Sequence, residues 1–325
     1  MAQSRILFID SVHPILKNEL ESMGFECHWH VDHSQEQIQA EIADYVGVVI
    51  RSKFPMNREM IDRAKQLRFI ARSGAGMENI DVEYAREKGI HLFNSPEGNR
   101  DAVGEQAVGM LLSLMQNLRQ ADQQVRQGIW DREGNRGIEL MGRHVGLIGY
   151  GNMGQAFARR LSGFGVKTLA YDKYKKEYSD SFATEATLNE LFVKAEVISF
   201  HVPQTDETIY YLDDDFVSSM ENPFFLINTA RGKVVQTDAL VRGLQSGKIL
   251  GACLDVLEYE SSSFGDIFQL EMPDAMKYLI ESDRVILSPH VAGWTVESYE
   301  KLSTFLAEKV RNAIKEDPDW IPGLA

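Results

Sequence analysis

Three residues of complementary chemistry follow apolar runs in the C-terminal half of the chain. Arg231 lies in the motif NTARG at 228–232, Glu260 ends the motif LDVLEYE, and His290 lies in the motif SPHVAGW. Taken singly, they have ordinary structural explanations as a surface cation, a solvated acid and a loop histidine. Together they offer a cation for a substrate carboxylate, a proton donor and acceptor, and an acid that orients and tunes it. Hydride transfer on a hydroxy acid requires these groups.

The stretch 144–172 has the pattern of a dinucleotide-binding βαβ unit, with glycines spaced G-x-G-x-x-G between an apolar run and a helical pattern. Gly149 permits a tight turn, Gly151 lets backbone N–H groups approach a pyrophosphate, and Gly154 allows close packing of helix and strand. Asp172 ends the next apolar run, where it can accept hydrogen bonds from the hydroxyls of the adenine ribose. We therefore expect NAD here, and we expect Asp172 to disfavour NADP.

Composition narrows the class of protein. The 325 residues are 44% hydrophobic and 25% charged, as in a globular chain of about two domains. The net charge of −14 argues against binding to nucleic acid, because phosphates would be repelled. We expect a cytoplasmic protein without a membrane partner, since no signal-peptide core or membrane span is evident. Cys27 and Cys253 do not suggest a disulfide framework.

The first hundred residues alternate between strand and helix patterns, which predicts a parallel sheet with helices on both faces. The predicted strands are 6–9, 25–31, 46–50, 69–71 and 90–93, and the predicted helices are 15–23, 37–43, 58–65 and 82–88. This order is typical of a flavodoxin-like domain. A long helix follows, for which Asn99 or Asp101 is the expected N-cap.

Beyond that helix, the polar segment 119–136 predicts an arm that packs on another body. From residue 144 onward βα units recur, with later strands predicted at 197–202, 224–228, 251–256 and 285–288. A final helix over 296–314 is expected to return to the first domain. The predicted fold class is α/β, with two doubly wound parallel-sheet domains. We expect a flavodoxin-like substrate-binding domain formed by 1–98 and 295–325, and a Rossmann NAD-binding domain formed by 99–294.

These motifs carry a resemblance that covers nearly the whole chain. The chain also contains RSGAGMENID at 72–81, FNSPEGNRDAVGEQ at 93–106 and GYGNMG at 149–154. It resembles the D-2-hydroxyacid dehydrogenase family, and within it the D-3-phosphoglycerate dehydrogenases that lack a C-terminal regulatory domain. The resemblance implies an enzyme with an active-site cleft between two domains, NAD in the inner one, and usually a homodimer built through the inner domain. It implies no metal, since the arginine and the imidazolium supply the positive charge.

The resemblance also assigns roles to individual residues. Arg231, Glu260 and His290 become catalytic, with Glu260 preferred over Glu258 because it stands five residues after Asp255. The residues implied to contact the cofactor are Ala75, Gly149, Gly151, Asn152, Met153, Gly154, Asp172, His201, Val202, Pro203, Thr208, Thr229, Ala230, Arg231, Asp255, His290 and Gly293. The residues implied to contact the substrate are Arg51 and Ser52, together with Ser73, Gly74, Ala75 and Gly76 through their backbone amides.

The mechanism implied by the resemblance gives each catalytic residue one task. Arg231 binds the substrate carboxylate and the C2 oxygen. His290 accepts the hydroxyl proton during oxidation and returns it during reduction. Glu260 stabilises the imidazolium form of His290.

Three histidines near the N-terminus offer possible metal ligands. His28, His30 and His33 alternate with the apolar residues of the predicted strand 25–31, which is typical of side chains on the solvent side of a strand. We therefore expect no metal there.

Three functions remain open at this stage. The first is oxidation of 3-phosphoglycerate for serine biosynthesis, and the second is reduction of glyoxylate, hydroxypyruvate or a larger 2-keto acid. The third is an NAD(H)-responsive binding protein, as in corepressors that resemble this family. Arg51 and Ser52, at the end of the predicted strand 46–50, favour the first, because an arginine fork can bind a phosphate through two parallel hydrogen bonds.

Some departures from the family pattern bear on the substrate, and Trp294 leaves a different or bulkier acid open. Ser261 follows Glu260 where the family often has proline, and Trp294 stands where D-3-phosphoglycerate dehydrogenases often have a smaller residue. The segment 261–289 is long for the family, and we expect it to form a lid or a subunit contact.

Overall fold

The computed structural model describes residues 4–260 and 272–321. The chain divides into two compact units, one formed by Met1–Asn99 with Trp294–Ala325, and the other formed by Arg100–Gly293. Each unit contains one sheet in which every paired strand is parallel. The predicted fold class, two α/β domains with parallel sheets, is therefore confirmed.

The first unit has five strands in the order β2-β1-β3-β4-β5, the flavodoxin-like order. The strands are β1 Arg5–Phe8, β2 Glu26–Trp29, β3 Gly47–Ile50, β4 Phe69–Arg72 and β5 His91–Asn94. Its helices are α1 Pro14–Ser22, α2 Gln35–Glu41, α3 Arg58–Arg63, α4 Val82–Glu87 and, from the C-terminal part of the chain, α12 Val296–Glu316.

The central strands of this sheet are apolar on both sides because helices cover both faces. One face packs Leu7 and Val48 against Met60 of α3. The other face packs Phe8 and Val49 into a core that also contains side chains of α1 and α12. The C-terminal helix thus completes the hydrophobic core of the first unit.

The second unit has seven strands in the order β12-β11-β10-β9-β6-β7-β8. These are β6 His144–Ile148, β7 Lys167–Tyr171, β8 Thr184–Glu185, β9 Val197–Phe200, β10 Phe224–Asn228, β11 Ile249–Leu254 and β12 Val285–Leu287. The remaining helices are α5 Pro96–Met115, α6 Leu118–Arg126, α7 Asn152–Leu161, α8 Leu188–Lys194, α9 Asp214–Ser219, α10 Thr237–Ser246 and α11 Asp274–Glu281.

The direction of winding in this sheet reverses between β6 and β9. The two strands are hydrogen-bonded neighbours, although β7 and β8 separate them in the sequence. In open α/β sheets, ligands bind beyond the carboxyl ends of the strands at such a switch point. Because the strands are parallel, their carboxyl ends lie along one edge of the sheet. This carboxyl edge carries the loops that follow β6, β7, β9, β10, β11 and β12.

Two predictions of local structure are wrong. The long helix begins at Pro96 rather than after Asn99 or Asp101, because proline is well suited to the first helical position, where an N–H has no intrahelical partner. The second strand ends at Trp29, so His33 is not a strand residue. The N–H of His33 instead donates to the carbonyl of His30 at 3.2 Å, in a turn.

The segment expected to be a lid or a subunit contact is only partly described. Residues 261–271, including Ser261, lie outside the described residues, and the remainder contains α11 and β12. In the described ranges, the helices are too short or too polar to span a bilayer.

Candidate active site

A histidine and a glutamate from neighbouring strands form a hydrogen-bonded pair. Glu260 follows β11 and His290 follows β12, and the two strands are paired in parallel. The Nδ1 atom of His290 lies 2.7 Å from Oε2 of Glu260, while the other carboxylate oxygen accepts the N–H of Leu257. A carboxylate at Nδ1 fixes the proton on that nitrogen and leaves Nε2 to exchange a proton with a ligand.

The loop that carries His290 is held by one buried carboxylate. The N–H of His290 donates to the carbonyl of Asp255 at 2.8 Å, and His290 has a φ of 55°, which is uncommon for a residue with a side chain. Asp255 is 1% exposed. Its carboxylate accepts hydrogen bonds from the side chains of Gln106 and Ser288 and from the N–H groups of Val291 and Ala292. Asp255 is thus a positioning residue for His290, and its contact with the cofactor stays a prediction.

The alternative acid, Glu258, has different partners. One of its oxygens accepts the hydroxyl of Tyr210 at 2.6 Å, and the other accepts the N–H of Thr237 at 2.9 Å. Glu258 therefore lies at the start of α10, and among the described residues Glu260 is the acid that is paired with His290.

Arg231 lies on the loop after β10, the strand next to β11. The side-chain amide of Asn228 donates to the backbone carbonyl of Arg231 at 2.9 Å. A Cβ atom on Gly232 would lie 1.9 Å from the carbonyl oxygen of Leu257. Glycine is therefore required for this loop to pack against the loop that carries Glu260.

The glycine-rich loop has the backbone that its sequence predicts. Gly149 has a φ of 93°, and a Cβ there would lie 2.6 Å from the carbonyl oxygen of His201. A Cβ on Gly154 would lie 2.3 Å from the carbonyl oxygen of Gly149. Gly151 is the N-cap of α7 and provides no side-chain cap, and a Cβ there would meet no atom within 4 Å. This open helix N-terminus, which Asn152 and Met153 begin, can accommodate a pyrophosphate.

Asp172 is held by three backbone donors. Its carboxylate accepts the N–H of Tyr150 at 2.9 Å, of Tyr174 at 3.0 Å and of Lys175 at 3.1 Å. Burial would raise the pKa of Asp172, but these donors outweigh it and hold the pKa below its usual value. The result is an ionised, fixed acceptor beyond β7.

The loop after β9 closes on itself beside the glycine-rich loop. The hydroxyl of Thr208 donates to the carbonyl of Pro203 at 2.6 Å. The side chain of Val202 would lie 3.0 Å from a Cβ on Gly149. The ring of His201 lies 2.9 Å from the hydroxyl of Ser199, and burial lowers the pKa of His201 to about 3, so the ring is neutral.

Two buried polar atoms at this edge have no hydrogen-bond partner among the described residues: the hydroxyl of Thr229 and Nδ1 of His201. A buried polar atom without a partner costs about 1–3 kcal/mol. The edge therefore fits a ligand that contributes polar atoms, as a dinucleotide does. Ala230 lies beside Thr229, and Gly293 lies in the same loop as His290.

The substrate residues predicted in the first unit follow β3 and β4. The N–H of Ser73 donates to the carbonyl of Ile50 at 2.8 Å. Within the sheet this amide already has a partner, and its contact with a substrate carboxylate stays a prediction. None of the hydrogen bonds between described residues uses the N–H groups of Gly74, Ala75 or Gly76, so these three amides can still donate to a ligand.

Arg51 is positioned by Asp10 and Trp294, which no sequence motif connects to it. A single oxygen of Asp10 accepts the N–H groups of Arg51, Ser52 and Lys53 at 2.7, 2.9 and 3.0 Å. The guanidinium carbon of Arg51 lies 4.3 Å from the ring centroid of Trp294, a cation–π geometry. The available sequence signal was the position of Asp10, an acid two residues after the last residue of β1.

Comparisons with known proteins identify the family of this chain. A family model described as "D-isomer specific 2-hydroxyacid dehydrogenase, NAD binding domain" matches residues 108–292. The chain is 33% identical over 314 residues to the D-3-phosphoglycerate dehydrogenase of Methanocaldococcus jannaschii, an alignment that covers 96% of this chain and 57% of the relative. It is 33% identical over 276 residues to the hydroxypyruvate reductase of Thermotoga maritima, with 85% and 87% of the two chains covered.

A solved structure extends the similarity. The NADPH-dependent glyoxylate/hydroxypyruvate reductase of Sinorhizobium meliloti matches with a TM-score of 0.79 and 30% identity, over 97% of this chain and 95% of that one. The chain spans little more than half the length of the D-3-phosphoglycerate dehydrogenase that it matches, namely 57%. The predicted family is confirmed, and the chain belongs to the D-isomer specific 2-hydroxyacid dehydrogenases, with the NAD-binding domain of that family at residues 108–292.

Proposed function

We propose that this protein is an NAD-dependent oxidoreductase that transfers a hydride between NAD(H) and a D-2-hydroxy acid. The observation that supports it most is the hydrogen bond between His290 and Glu260, at the sheet edge that also carries Arg231 and the glycine-rich loop. NAD supplies the hydride acceptor for oxidation and NADH the hydride donor for reduction. The chain supplies binding, orientation and proton transfer.

Each catalytic residue has one task in this proposal. Arg231 binds the carboxylate of the substrate and polarises the C2 oxygen. His290 exchanges the hydroxyl proton through Nε2, because Glu260 holds Nδ1. Glu260 stabilises the imidazolium that forms during oxidation.

The same pair distinguishes an enzyme from an NAD(H)-responsive binding protein. Binding of a nucleotide needs no acid–base pair, whereas reduction of a 2-keto acid needs a proton donor next to C2. The test is a panel of 2-keto and 2-hydroxy acids with NADH or NAD, followed by absorbance. Turnover that disappears in His290→Gln supports the enzyme, and binding of NADH without turnover of any acid would favour the binding protein.

For the substrate, we propose D-3-phosphoglycerate, which is oxidised to 3-phosphohydroxypyruvate in serine biosynthesis. The support is Arg51, whose backbone is held by Asp10 and whose guanidinium is held over Trp294. A preoriented guanidinium is suited to a phosphate, because its planar fork loses little freedom on binding. The test compares kcat/KM for 3-phosphoglycerate and for small unphosphorylated acids.

The second candidate is reduction of hydroxypyruvate or glyoxylate. The observation that favours it is the match to the Thermotoga maritima hydroxypyruvate reductase, which covers 87% of that relative, against 57% of the D-3-phosphoglycerate dehydrogenase. Higher kcat/KM for hydroxypyruvate than for the phosphorylated substrate pair would select this candidate.

We also propose that the protein is a cytoplasmic homodimer built through the second unit. Large apolar side chains are exposed along and after α6, namely Leu118, Val125, Ile129, Trp130 and Met141, with Trp130 80% exposed. Exposed apolar side chains that together form a patch mark a protein–protein interface, and we propose that these side chains do so. A second copy of this chain is the occupant that the family resemblance favours.

A further inference from the structure

Two histidines and a glutamate converge on one point in the first unit. His30 directly follows β2, His33 lies three residues later in the same turn, and Glu41 is the last residue of α2. The Nδ1 atoms of His30 and His33 lie 2.8 and 3.1 Å from the same oxygen, Oε1 of Glu41. The two imidazole rings are stacked, with centroids 4.3 Å apart. The expectation that these histidines are solvent-facing strand residues is therefore wrong for His30 and His33, which follow β2.

The backbone around the cluster is held in place. The N–H of His30 donates to the carbonyl of Phe8 at 2.9 Å, which ties the residue to the sheet. The turn between the two histidines is closed by the N–H of His33, and the ammonium of Lys53 donates to the carbonyls of Val31 and His33. Two of the three ligand atoms thus come from a turn whose backbone is held by hydrogen bonds, and the third comes from the end of α2.

The geometry is close to what a metal ion requires. The two ring nitrogens point toward the same carboxylate oxygen. The three ligand atoms lie within 4.8 Å of one another. Zinc bonds of about 2.0–2.1 Å in tetrahedral geometry place neighbouring ligand atoms about 3.3 Å apart. The observed separations of the two Nδ1 atoms from Oε1 are 2.8 and 3.1 Å, which differ from that spacing by roughly a few tenths of an ångström. We propose that His30, His33 and Glu41 bind Zn²⁺, with water completing the coordination.

The ligand chemistry favours zinc over harder cations. Imidazole nitrogens suit zinc and its neighbours in the transition series, whereas magnesium and calcium prefer oxygen ligands. The side chains of His30, His33 and Glu41 are 28%, 37% and 27% exposed, so an ion can enter from solvent while the ligands stay ordered.

Two other potential ligands nearby are occupied or unreactive. His28 has a partner on each ring nitrogen, Tyr45 at 2.7 Å and Glu26 at 2.9 Å. Burial raises the pKa of the Cys27 thiol to about 12, so the thiolate that zinc would bind is scarce at neutral pH. The site is therefore a three-residue site, and it joins the end of β2 to the end of α2.

The test uses the 325-residue chain without an affinity tag, stripped of metal by a chelator. Zn²⁺ is titrated by calorimetry, and Co²⁺ serves as a spectroscopic probe of imidazole and carboxylate coordination. We expect one tight zinc per chain, and at least about tenfold weaker binding in His30→Gln, His33→Gln and Glu41→Gln. The matched control is His28→Gln, which should bind zinc like the parent protein.

Thermal unfolding with and without zinc gives a second readout. An ion that binds only the folded state raises Tm, so zinc should raise the Tm of the parent and of His28→Gln, and should not raise the Tm of Glu41→Gln. Glu41 lies at the end of a surface helix, so this variant keeps its fold even if a histidine variant does not. Absence of zinc binding in the parent protein, or equal binding in the parent and Glu41→Gln, would overturn the proposal.

Discussion

The imidazole of His290 and the carboxylate of Glu260 are 2.7 Å apart although 30 residues separate them in the chain. The contact forms because β11 and β12 are adjacent and parallel, so the loops that follow them leave the same edge of the sheet. A carboxylate at this distance holds the ring in one orientation and stabilises its charged form. This pairing makes the pH dependence of the reaction a direct test of the proposed mechanism.

We expect Glu260→Gln to shift the pH range of reduction. Reduction needs the protonated ring of His290, and the neutral amide no longer stabilises it. Reductive activity should therefore fade at lower pH in the variant than in the parent. The measurement is kcat/KM for a 2-keto acid as a function of pH. Glu258→Gln is the control, because Glu258 contacts Tyr210 and Thr237 instead of His290. The same profile in the parent and Glu260→Gln would remove Glu260 from this role.

We expect the enzyme to use NAD in preference to NADP. A 2′-phosphate would meet the ionised, backbone-held carboxylate of Asp172, and loss of the ribose hydrogen bond costs about 1–3 kcal/mol before repulsion. Two lysines that would attract the phosphate have other partners, Lys173 with Glu207 at 2.8 Å and Lys175 with the carbonyl of Tyr150 at 2.7 Å.

The check on this cofactor preference is kcat/KM with each cofactor, in the parent and in Asp172→Ala. In the variant, kcat/KM with NAD should fall, and the difference between kcat/KM with NAD and kcat/KM with NADP should become smaller. Because the pKa of Asp172 is held below its usual value, the preference should persist into mildly acidic buffer. Comparable efficiencies with the two cofactors in the parent would contradict the assignment.

We expect Arg51→Ala to weaken use of 3-phosphoglycerate by about 2–5 kcal/mol in kcat/KM, as for a lost charge pair. Turnover of glyoxylate, which has no phosphate, should change little. Arg58→Ala is the matched control, since Arg58 is exposed and paired with Asp81. Equal losses on both substrates would make Arg51 a structural residue and favour the reductase candidate.

We expect Gly232→Ala to impair catalysis through the backbone. The added Cβ would lie 1.9 Å from the carbonyl oxygen of Leu257, so the loops that carry Arg231 and Glu260 would have to separate. Overpacking of this kind costs about 1–3 kcal/mol of stability, measurable as the free energy of unfolding in urea. Gly163→Ala is the control, because a Cβ at Gly163 meets no atom within 4 Å. Unchanged activity and stability in Gly232→Ala would show that the loops adjust without cost.

We expect Trp130→Ser to weaken the proposed homodimer. A large exposed aromatic side chain in an apolar surface is the usual centre of binding energy in an interface. Light scattering after gel filtration should show a dimer for the parent and a concentration-dependent shift to monomer for the variant. Val296→Ser, at an apolar residue that is 86% exposed in the first unit, should leave the mass unchanged. A monomeric parent would overturn the proposal.

The sequence by itself determined the fold class. It also determined which motifs lie at the carboxyl edge of the sheet in the second unit. Strand and helix periodicities are local properties, and glycines such as Gly149 and Gly154 are required by local backbone and close contacts. Motifs placed directly after predicted parallel strands must meet at one edge, which is why Arg231, Glu260 and His290 could be grouped before any coordinates.

Only the tertiary structure decided which atoms are already in use. The amide of Ser73 is taken by Ile50 of a neighbouring strand, and no spacing in the sequence shows this. The carboxylate of Asp255 accepts hydrogen bonds from the loop after β12 and from Gln106, 149 residues away. Glu41 joins His30 and His33 because a turn and a helix end meet in space. Hydrogen bonds and metal sites require atoms of distant segments to be placed to within roughly a few tenths of an ångström. The order of residues in a sequence does not specify distances that precisely.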